Sequence, residues 1–223
     1  MNLIELKREQ VKLAPKVVLK DSFTVIRTIG GAACAAIGQK LLATVVVCEY
    51  PSLKLLEKKT ALLANPLPYR PGFEAYREMP AIIEAYNRLE LEPDVLLAKG
   101  TGILHPLRLG IASHLGLALN VPTIGISETL PLGTVADGKV VVQEKTLGYV
   151  IKTKEHANPL YASPGHLVSL SSMQQIIPTT IIPPHKLPEP LHLALRIARK
   201  KAQKLRVVGT ETVETRARCL NIL

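Results

Sequence analysis

Residues 93–126 read PDVLLAKGTGILHPLRLGIASHLGLALNVPTIGI, and this stretch decides the fold class. Residues 95–98 are a short apolar run, typical of a buried strand. A loop over 99–105 follows, and a proline at the first position of 106–119 predicts a helix over that range. Residues 122–126 are a second short apolar run. Because strand, helix and strand follow in this order, the stretch predicts a parallel βαβ unit.

Upstream of this unit, the sequence predicts an antiparallel meander. Residues 24–29 and 41–49 are apolar and β-branched, and the small residues 30–33 between them indicate a hairpin or a bulged pair. Residues 53–63 extend the meander as a third strand. A meander followed by alternating strands and helices predicts an α/β protein with a ribonuclease H-like fold, in which a mixed central sheet is flanked by helices. Enzymes of that fold hold two divalent ions with carboxylates at the ends of the central strands.

The rest of the chain supplies further elements to the same domain. Helical periodicity is present in four more segments: residues 3–16, 73–89, 170–177 and 191–205. Strands are predicted at 148–153 and 160–162, a turn at 163–166 and an extended segment at 181–190. The length fits a single domain over residues 1–206, followed by a C-terminal tail or an added strand at 207–223.

The charge balance favours a polyanionic partner. The formal net charge is +10, and residues 196–206 hold six basic side chains and no acidic one. Since neutralised phosphates supply most non-specific affinity for nucleic acids, nucleic acid is the expected partner. The alternative is that this basic segment is only a solvated helix face.

The cysteines and the apolar segments indicate a cytoplasmic protein without a membrane span. Cys34, Cys48 and Cys219 are odd in number and have no CxxC spacing, which argues against a disulfide framework and a cysteine zinc site. Residues 1–10 carry charges of both signs and lack the apolar core of a signal peptide. No apolar stretch approaches the ~20 residues of a membrane-spanning helix.

A series of short blocks, in order and spacing from about residue 3 to residue 200, resembles the endonuclease V family. The blocks are Tyr50-Pro51-Ser52, Pro68-Tyr69-Arg70-Pro71-Gly72-Phe73, Lys99-Gly100-Thr101-Gly102-Ile103-Leu104-His105-Pro106, Val121-Pro122-Thr123-Ile124-Gly125, Ser163-Pro164-Gly165-His166 and Leu187-Pro188-Glu189-Pro190. The resemblance implies a ribonuclease H-like fold and a magnesium-dependent enzyme that cuts a nucleic-acid strand near an inosine, as in nucleic-acid repair.

The resemblance also implies which residues bind nucleic acid. In the family, a Pro-Tyr-x-Pro segment acts as a wedge at the altered base, and a glycine-rich loop supports the pocket that receives this base. The corresponding residues, with nearby cations and histidines, are Pro68, Tyr69, Arg70, Pro71, Gly100, Gly102, His105, Arg108 and His114. The alternatives are a tyrosine that caps the domain edge, glycines that only form a tight βα turn, and histidines with structural roles.

The same resemblance implies a cleavage site of three carboxylates, and only one of them is present. The retained carboxylate is Glu78. The aspartate of the family's first strand falls at Gly30, or at Gly31 if the hairpin gap is placed differently, and the aspartate of its glycine-rich loop falls at Lys99. A family lysine after the Pro-Thr-Ile-Gly strand has become Glu128.

No small shift of the alignment restores the missing acids, because residues 22–48 and 95–127 contain no Asp or Glu. Magnesium prefers hard oxygen ligands, commonly carboxylates with phosphate and water, and a lysine ammonium would repel the cation. We therefore expect no metal site and no cofactor here. Lys99 and Glu128 are either a charge-reversed pair or two unrelated surface changes.

Three functions are compatible with these residues. The first is a nucleic-acid-binding member of the family, a pseudoenzyme that is catalytically inactive or impaired, with inosine-containing strands as candidate ligands. The second is an active magnesium-dependent endonuclease that cleaves DNA or RNA near inosine. The third is a non-enzymatic scaffold or regulatory subunit.

Overall fold

The computed structural model describes residues 2–154 and 157–220, with side chains through Arg206. Nine strands form one sheet in these ranges: β1 Thr28–Ile37, β2 Lys40–Glu49, β3 Leu55–Ala64, β4 Val95–Lys99, β5 Thr123–Ser127, β6 Thr134–Ala136, β7 Lys139–Val142, β8 Lys145–Ile151 and β9 Leu160–His166. The α-helices are α1 Leu3–Leu13, α2 Glu74–Tyr86, α3 Ile111–Leu119, α4 Leu170–Thr179 and α5 Glu189–Leu220, and a 3-10 turn spans Ala14–Lys16.

The sheet is mixed, with the order β3-β2-β1-β4-β5-β9-β8-β7-β6. β1, β2 and β3 pair antiparallel, whereas β4 runs parallel to both β1 and β5. The carboxyl ends of β4 and β5 therefore lie at the same edge, where Lys99 is the register partner of Ile126. This architecture confirms the predicted ribonuclease H-like α/β fold class.

Two hydrophobic layers cover the faces of the sheet. On one face, side chains such as Ile29 and Val46 pack with α4 and α5. On the other, Ala32 and Leu96 pack with α2 and α3. The small residues of β1 let these layers approach closely, because a Cβ added to Gly31 would lie 2.3 Å from the backbone of Pro190 at the start of α5.

The predicted bounds of β1 are wrong. The glycines and alanines assigned to a hairpin lie inside the strand, and the turn falls at Gly38, which has a φ of +54°. Since long side chains do not fit between β1 and the covering helices, this strand lacks the β-branched pattern that marks its neighbours. The start of the βαβ helix also differs from the prediction, because α3 begins at Ile111 and not at Pro106.

The sequence missed or misplaced elements in the second half. β6 and β7 were not predicted, and the segment 163–166 predicted as a turn belongs to β9. The helix predicted to end at residue 205 continues to Leu220, while residues 221–223 lie outside the described residues. Among the described helices, none combines the length and the apolar character needed to cross a membrane.

Candidate nucleic-acid-binding site

A cavity of about 580 Å³ opens at the carboxyl edge of β4 and β5. Five segments line it: β1, residues 68–73 (the wedge segment) with α2, the end of β4 with the loop after it, the start of α3, and β5 with the residues that follow it. The lining residues are Cys34, Tyr69, Pro71, Gly72, Glu74, Glu78, Lys99, Gly100, Thr101, His105, Pro106, Ile111, Ile126, Ser127, Glu128, Thr129 and Pro131. We call this cavity the central pocket.

The residue that β1 contributes to the central pocket is Cys34. Burial, together with the negative charge of Glu78 and a hydrogen bond to that carboxylate, raises the pKa of the Cys34 thiol well above its usual value. Burial also raises the pKa of Glu78, although the charges of Lys99 and Arg77 oppose this. The site therefore pairs a protonated thiol with one half-buried carboxyl group.

Gly30 and Gly31, the two positions predicted for the missing aspartate, both lie away from the central pocket. Gly30 pairs with Leu96 near the start of β4, and a Cβ there would meet the side chains of Pro93 and Leu96. Gly31 faces Pro190 on the opposite side of the sheet. Neither glycine lines the central pocket, because the true hairpin turn lies farther along the chain than expected. The position of β1 that faces Glu78 is four residues later.

Lys99 and Glu128 form an ion pair in the central pocket. Lys99 Nζ lies 3.1 Å from Glu128 Oε1, and Lys186 Nζ lies 3.5 Å from Glu128 Oε2. Burial alone would raise the pKa of Glu128, but the hydrogen bond from Lys99 and the charges of both lysines lower it. Because the side chains of Lys99 and Glu128 are 35% and 41% exposed, the pair contributes about 0–1 kcal/mol to stability. Its effect is to fix an ammonium group in the pocket.

These donors do not fit magnesium. The central pocket offers a protonated thiol at Cys34, a carboxyl of raised pKa at Glu78 and the ammonium of Lys99. Magnesium requires several oxygen ligands in near-octahedral geometry, and a fixed ammonium repels it. In the described part of the chain, no group of three or more His, Cys, Asp or Glu side chains could hold a metal ion.

The wedge segment presents an exposed aromatic ring at the mouth of the central pocket. Tyr69 is 61% exposed, and its hydroxyl donates to Glu74 Oε1 at 3.4 Å. The same oxygen accepts the backbone N–H of Gly72 at 3.0 Å. Pro71 also lines the pocket, whereas Pro68 and Arg70 line a separate groove of about 300 Å³ against α1 and α2. The structure therefore divides the predicted wedge residues between two surfaces.

His105 contacts the backbone of the wedge segment. Its ring is buried, Nδ1 accepts the backbone N–H of Leu107, and Nε2 lies 3.2 Å from the carbonyl oxygen of Gly72. Because Nδ1 accepts, Nε2 carries the proton and donates to that carbonyl. Burial lowers the pKa of His105, so the ring is neutral at physiological pH. Gln10 of α1 donates to the same carbonyl at 2.8 Å.

Three residues predicted to bind nucleic acid lie away from the central pocket. Gly102 packs against β9, where a Cβ would lie 2.0 Å from the carbonyl oxygen of Pro164. His114 is buried in α3, with its ring 5.2 Å from that of Tyr76. Arg108 has a φ of +57° and does not line the pocket. Gly100 does line it, at a φ of +134°.

A second cavity, of about 480 Å³, lies between α5 and the segment before it. Its lining residues are Glu128, Lys186, Leu187, His192, Leu195, Arg196, Arg199, Lys200 and Gln203, and we call it the α5 groove. Only half of the predicted basic cluster faces this groove. Lys201 binds Thr60 Oγ1 at 2.6 Å, and Arg206 contacts the carbonyl of Ala36, so both lie toward the meander.

Sequence reasoning missed Cys34 and Lys186 as members of these two cavities. A correct hairpin position would have found Cys34. Glu74 was visible one helical turn before Glu78, on the same helix face. Lys186 immediately precedes the Leu187-Pro188-Glu189-Pro190 block, but nothing in the sequence places it beside Glu128.

Comparisons with known proteins agree on one family. The profile of the endonuclease V family matches residues 11–196. Endonuclease V of Dictyoglomus thermophilum is 35% identical over 213 residues, which cover 92% of each chain. Endonuclease V of Trichormus variabilis is 35% identical over 201 residues, covering 85% of this chain and 90% of its own.

Solved structures of that family share the fold. The catalytic domain of human endonuclease V superposes with a TM-score of 0.81 at 26% identity, over 91% of this chain and 96% of its own. Endonuclease V of Ciona intestinalis, in complex with a 24mer DNA containing an inosine followed by a ribo-adenosine, gives a TM-score of 0.83 at 24% identity, over 91% and 98%.

Proposed function

Because this chain belongs to the endonuclease V family of nucleic-acid endonucleases, we propose that it binds nucleic acid through the central pocket but does not cleave it with magnesium there. The candidate ligands are DNA or RNA strands that contain inosine, as in the complex of the Ciona intestinalis relative. The proposal includes a cytoplasmic location, which the free thiols of Cys34 and Cys48 support.

The ion pair between Lys99 and Glu128 is the observation that carries this proposal. The resemblance puts a metal-binding aspartate where Lys99 stands, and Glu128 holds its ammonium in the pocket at 3.1 Å. With Cys34 as a neutral thiol and Glu128 paired with lysines, the carboxyl groups left in the pocket are Glu74 and Glu78, which both lie on α2. Two-metal cleavage of a phosphodiester depends on several such ligands.

Binding needs none of the lost groups. Tyr69 is exposed on a segment that Glu74, His105 and Gln10 hold in place. Stacking of a nucleobase on such a ring contributes ~1–3 kcal/mol. The net charge of +10 adds electrostatic attraction for phosphates.

The test combines a binding assay with a nicking assay. We expect fluorescence anisotropy to detect salt-sensitive binding of an inosine-containing oligonucleotide, while no nicked product forms with Mg²⁺ or Mn²⁺. Tyr69→Ala should weaken binding about tenfold, in line with the loss of one stacked base. Tyr69→Phe is the matched control, because it keeps the ring and removes only the hydroxyl bond to Glu74.

The retained carboxylate favours one competing function, a magnesium-dependent endonuclease. Glu78 remains in the central pocket on α2, and it is the group that such an enzyme would still use. Metal-dependent nicking that disappears in Glu78→Gln would establish that activity and contradict the proposal. Absence of binding even at low salt would instead leave the scaffold function.

A further inference from the structure

The central pocket and the α5 groove share one wall. Glu128 lines both cavities, with Lys99 on the side of the central pocket and Lys186 on the side of the groove. Its two carboxylate oxygens point to the two lysines, at 3.1 Å and 3.5 Å. A strand that leaves the central pocket past this carboxylate would therefore enter the groove directly.

Three of the cations that line the α5 groove lack acidic partners among the described side chains. Arg196, Arg199 and Lys200 are exposed, and none of them forms an ion pair with a described side chain. Their spacing of three and four residues puts them on one face of α5. Glu128 is the single acid among the lining residues of this groove. A row of uncompensated cations of this kind suits a chain of phosphates.

Glu128 lies between two lysine side chains that could also bind a phosphate. It lies between two ammonium groups in the manner of an anionic ligand, and both contacts are partly exposed to solvent. Exposed ion pairs contribute little, so a phosphodiester that brings further contacts along the groove can replace the carboxylate on either lysine. A displaced carboxylate remains a repulsive charge at the entrance.

We propose that the α5 groove binds the phosphate backbone of the strand whose base enters the central pocket, and that this backbone displaces Glu128 from Lys99 and Lys186. This proposal rests on the proposed function, and it adds the surface that would bind the phosphates and the carboxylate that they would displace. The alternative ligand for the same cations is an anionic membrane, and the experiments below distinguish it from a nucleic acid.

The first experiment removes the cations of the groove. The variant Arg196→Gln/Arg199→Gln/Lys200→Gln is compared with Lys54→Gln/Lys139→Gln/Lys145→Gln, which removes three exposed cations that line neither cavity. The probe is a fluorescein-labelled, inosine-containing single-stranded DNA. We expect the groove variant to lose about tenfold or more in affinity and its salt slope to fall by about 2, as for three lost phosphate contacts, with little change in the control.

The second experiment is expected to raise the affinity for DNA. Glu128→Gln keeps the shape of the side chain and removes its charge, so the two lysines become available to phosphate. We expect the Kd for the same DNA to fall about threefold or more, with a steeper salt slope. Glu128→Asp is the charge-preserving control and should not tighten binding. A general loss of fold would weaken binding and cannot produce this gain.

The outcomes separate the two proposals. If the unaltered protein does not bind the probe, the proposed function fails. If it binds but the groove variant behaves like its charge-matched control, or Glu128→Gln binds no more tightly, the groove proposal is overturned while the function stands. Groove-dependent binding to vesicles of phosphatidylserine and phosphatidylcholine, without groove-dependent binding of DNA, would also overturn it.

Discussion

At the scale of single residues, the central pocket holds an ion pair between a lysine and a glutamate. Lys99 brings an ammonium to a position that the resemblance assigns to an aspartate, and Glu128 brings the balancing carboxylate. Cys34 contributes a neutral thiol that donates to Glu78. Lys99 is paired with Glu128, and Cys34 lies beside Glu78. The charge of Glu128 is therefore balanced by a lysine and not by a metal ion.

Glu78 should limit stability at neutral pH. Its pKa is raised, so the folded state disfavours its ionised form, and the stability present below the unfolded pKa is lost as the pH rises through the folded pKa. We expect Glu78→Gln to raise the free energy of unfolding at pH 7.5, and to do so much less at pH 4. Urea unfolding at both values measures this. Glu84→Gln is the control, because Glu84 lies exposed on the same helix in a pair with Arg88. Equal effects of the two variants at the two pH values would refute the raised pKa.

Gly31 should be required for the packing of α5 on the sheet. A methyl group there would lie 2.3 Å from the carbonyl group of Pro190, which is backbone and cannot rotate away. We expect Gly31→Ala to cost ~1–3 kcal/mol of unfolding free energy, as overpacking does. Gly30→Ala meets the side chains of Pro93 and Leu96 at 2.8–2.9 Å and should cost less. Chemical denaturation that ranks the two variants in the reverse order would contradict this account.

At the scale of elements, the sequence predicts what periodicity can encode. The βαβ unit, the meander and the amphipathic helices have repeats that match their structures, so their existence and order were predictable. The bounds of β1 were predicted wrongly because its small residues are required by the contact with α5, which a local sequence pattern does not encode. For the same reason, Cys34 was not predicted to line the pocket. Lys186 reaches Glu128 from 58 residues away, which no local pattern encodes.

The first turn of α4 should depend on the partly exposed carboxylate of Asp21. Asp21 accepts hydrogen bonds from Ser169 N–H at 2.7 Å and from the hydroxyls of Ser169 and Ser172 at 2.9 and 2.7 Å. Burial alone would raise the pKa of Asp21, but these bonds lower it. We expect Asp21→Ala to cost ~1–3 kcal/mol at pH 7, as for hydrogen bonds to a charged group.

The pH dependence of that cost has a definite sign. Because the folded pKa of Asp21 is depressed, its contribution is present above the unfolded pKa and is lost as the pH falls through the folded pKa. The difference in unfolding free energy between the protein and Asp21→Ala should therefore shrink in acid. Asp21→Asn keeps the shape and should recover part of the loss. A difference that stays the same at all pH values would show that Asp21 acts through packing alone, and one that grows as the pH falls would contradict the lowered pKa.

At the scale of the whole molecule, the wedge segment and the residues around Glu78 are held by different elements. The wedge segment is held by α1, α2 and the loop after β4, through Gln10, Glu74 and His105. The retained carboxylate of the family's cleavage site, Glu78, instead lies beside Cys34 of β1 and near Lys99 at the end of β4. We therefore expect substitutions at Cys34 and Lys99 to leave the wedge segment in place, so that binding does not depend on them.

Restoration of the acids should then restore the metal site. The variant Cys34→Asp/Lys99→Asp/Glu128→Lys puts carboxylates on β1 and β4 beside Glu78, and a lysine where the resemblance implies one. We expect Mn²⁺ to stabilise this variant against heat by about 2.7 kcal/mol at 100 times its Kd, and to support nicking near inosine. The unaltered protein should show neither effect. The control Gly30→Asp/Lys99→Asp/Glu128→Lys should fail, because Gly30 lies against Pro93 and Leu96, away from the pocket. Metal binding by the control and not by the first variant would place the lost aspartate at Gly30 after all.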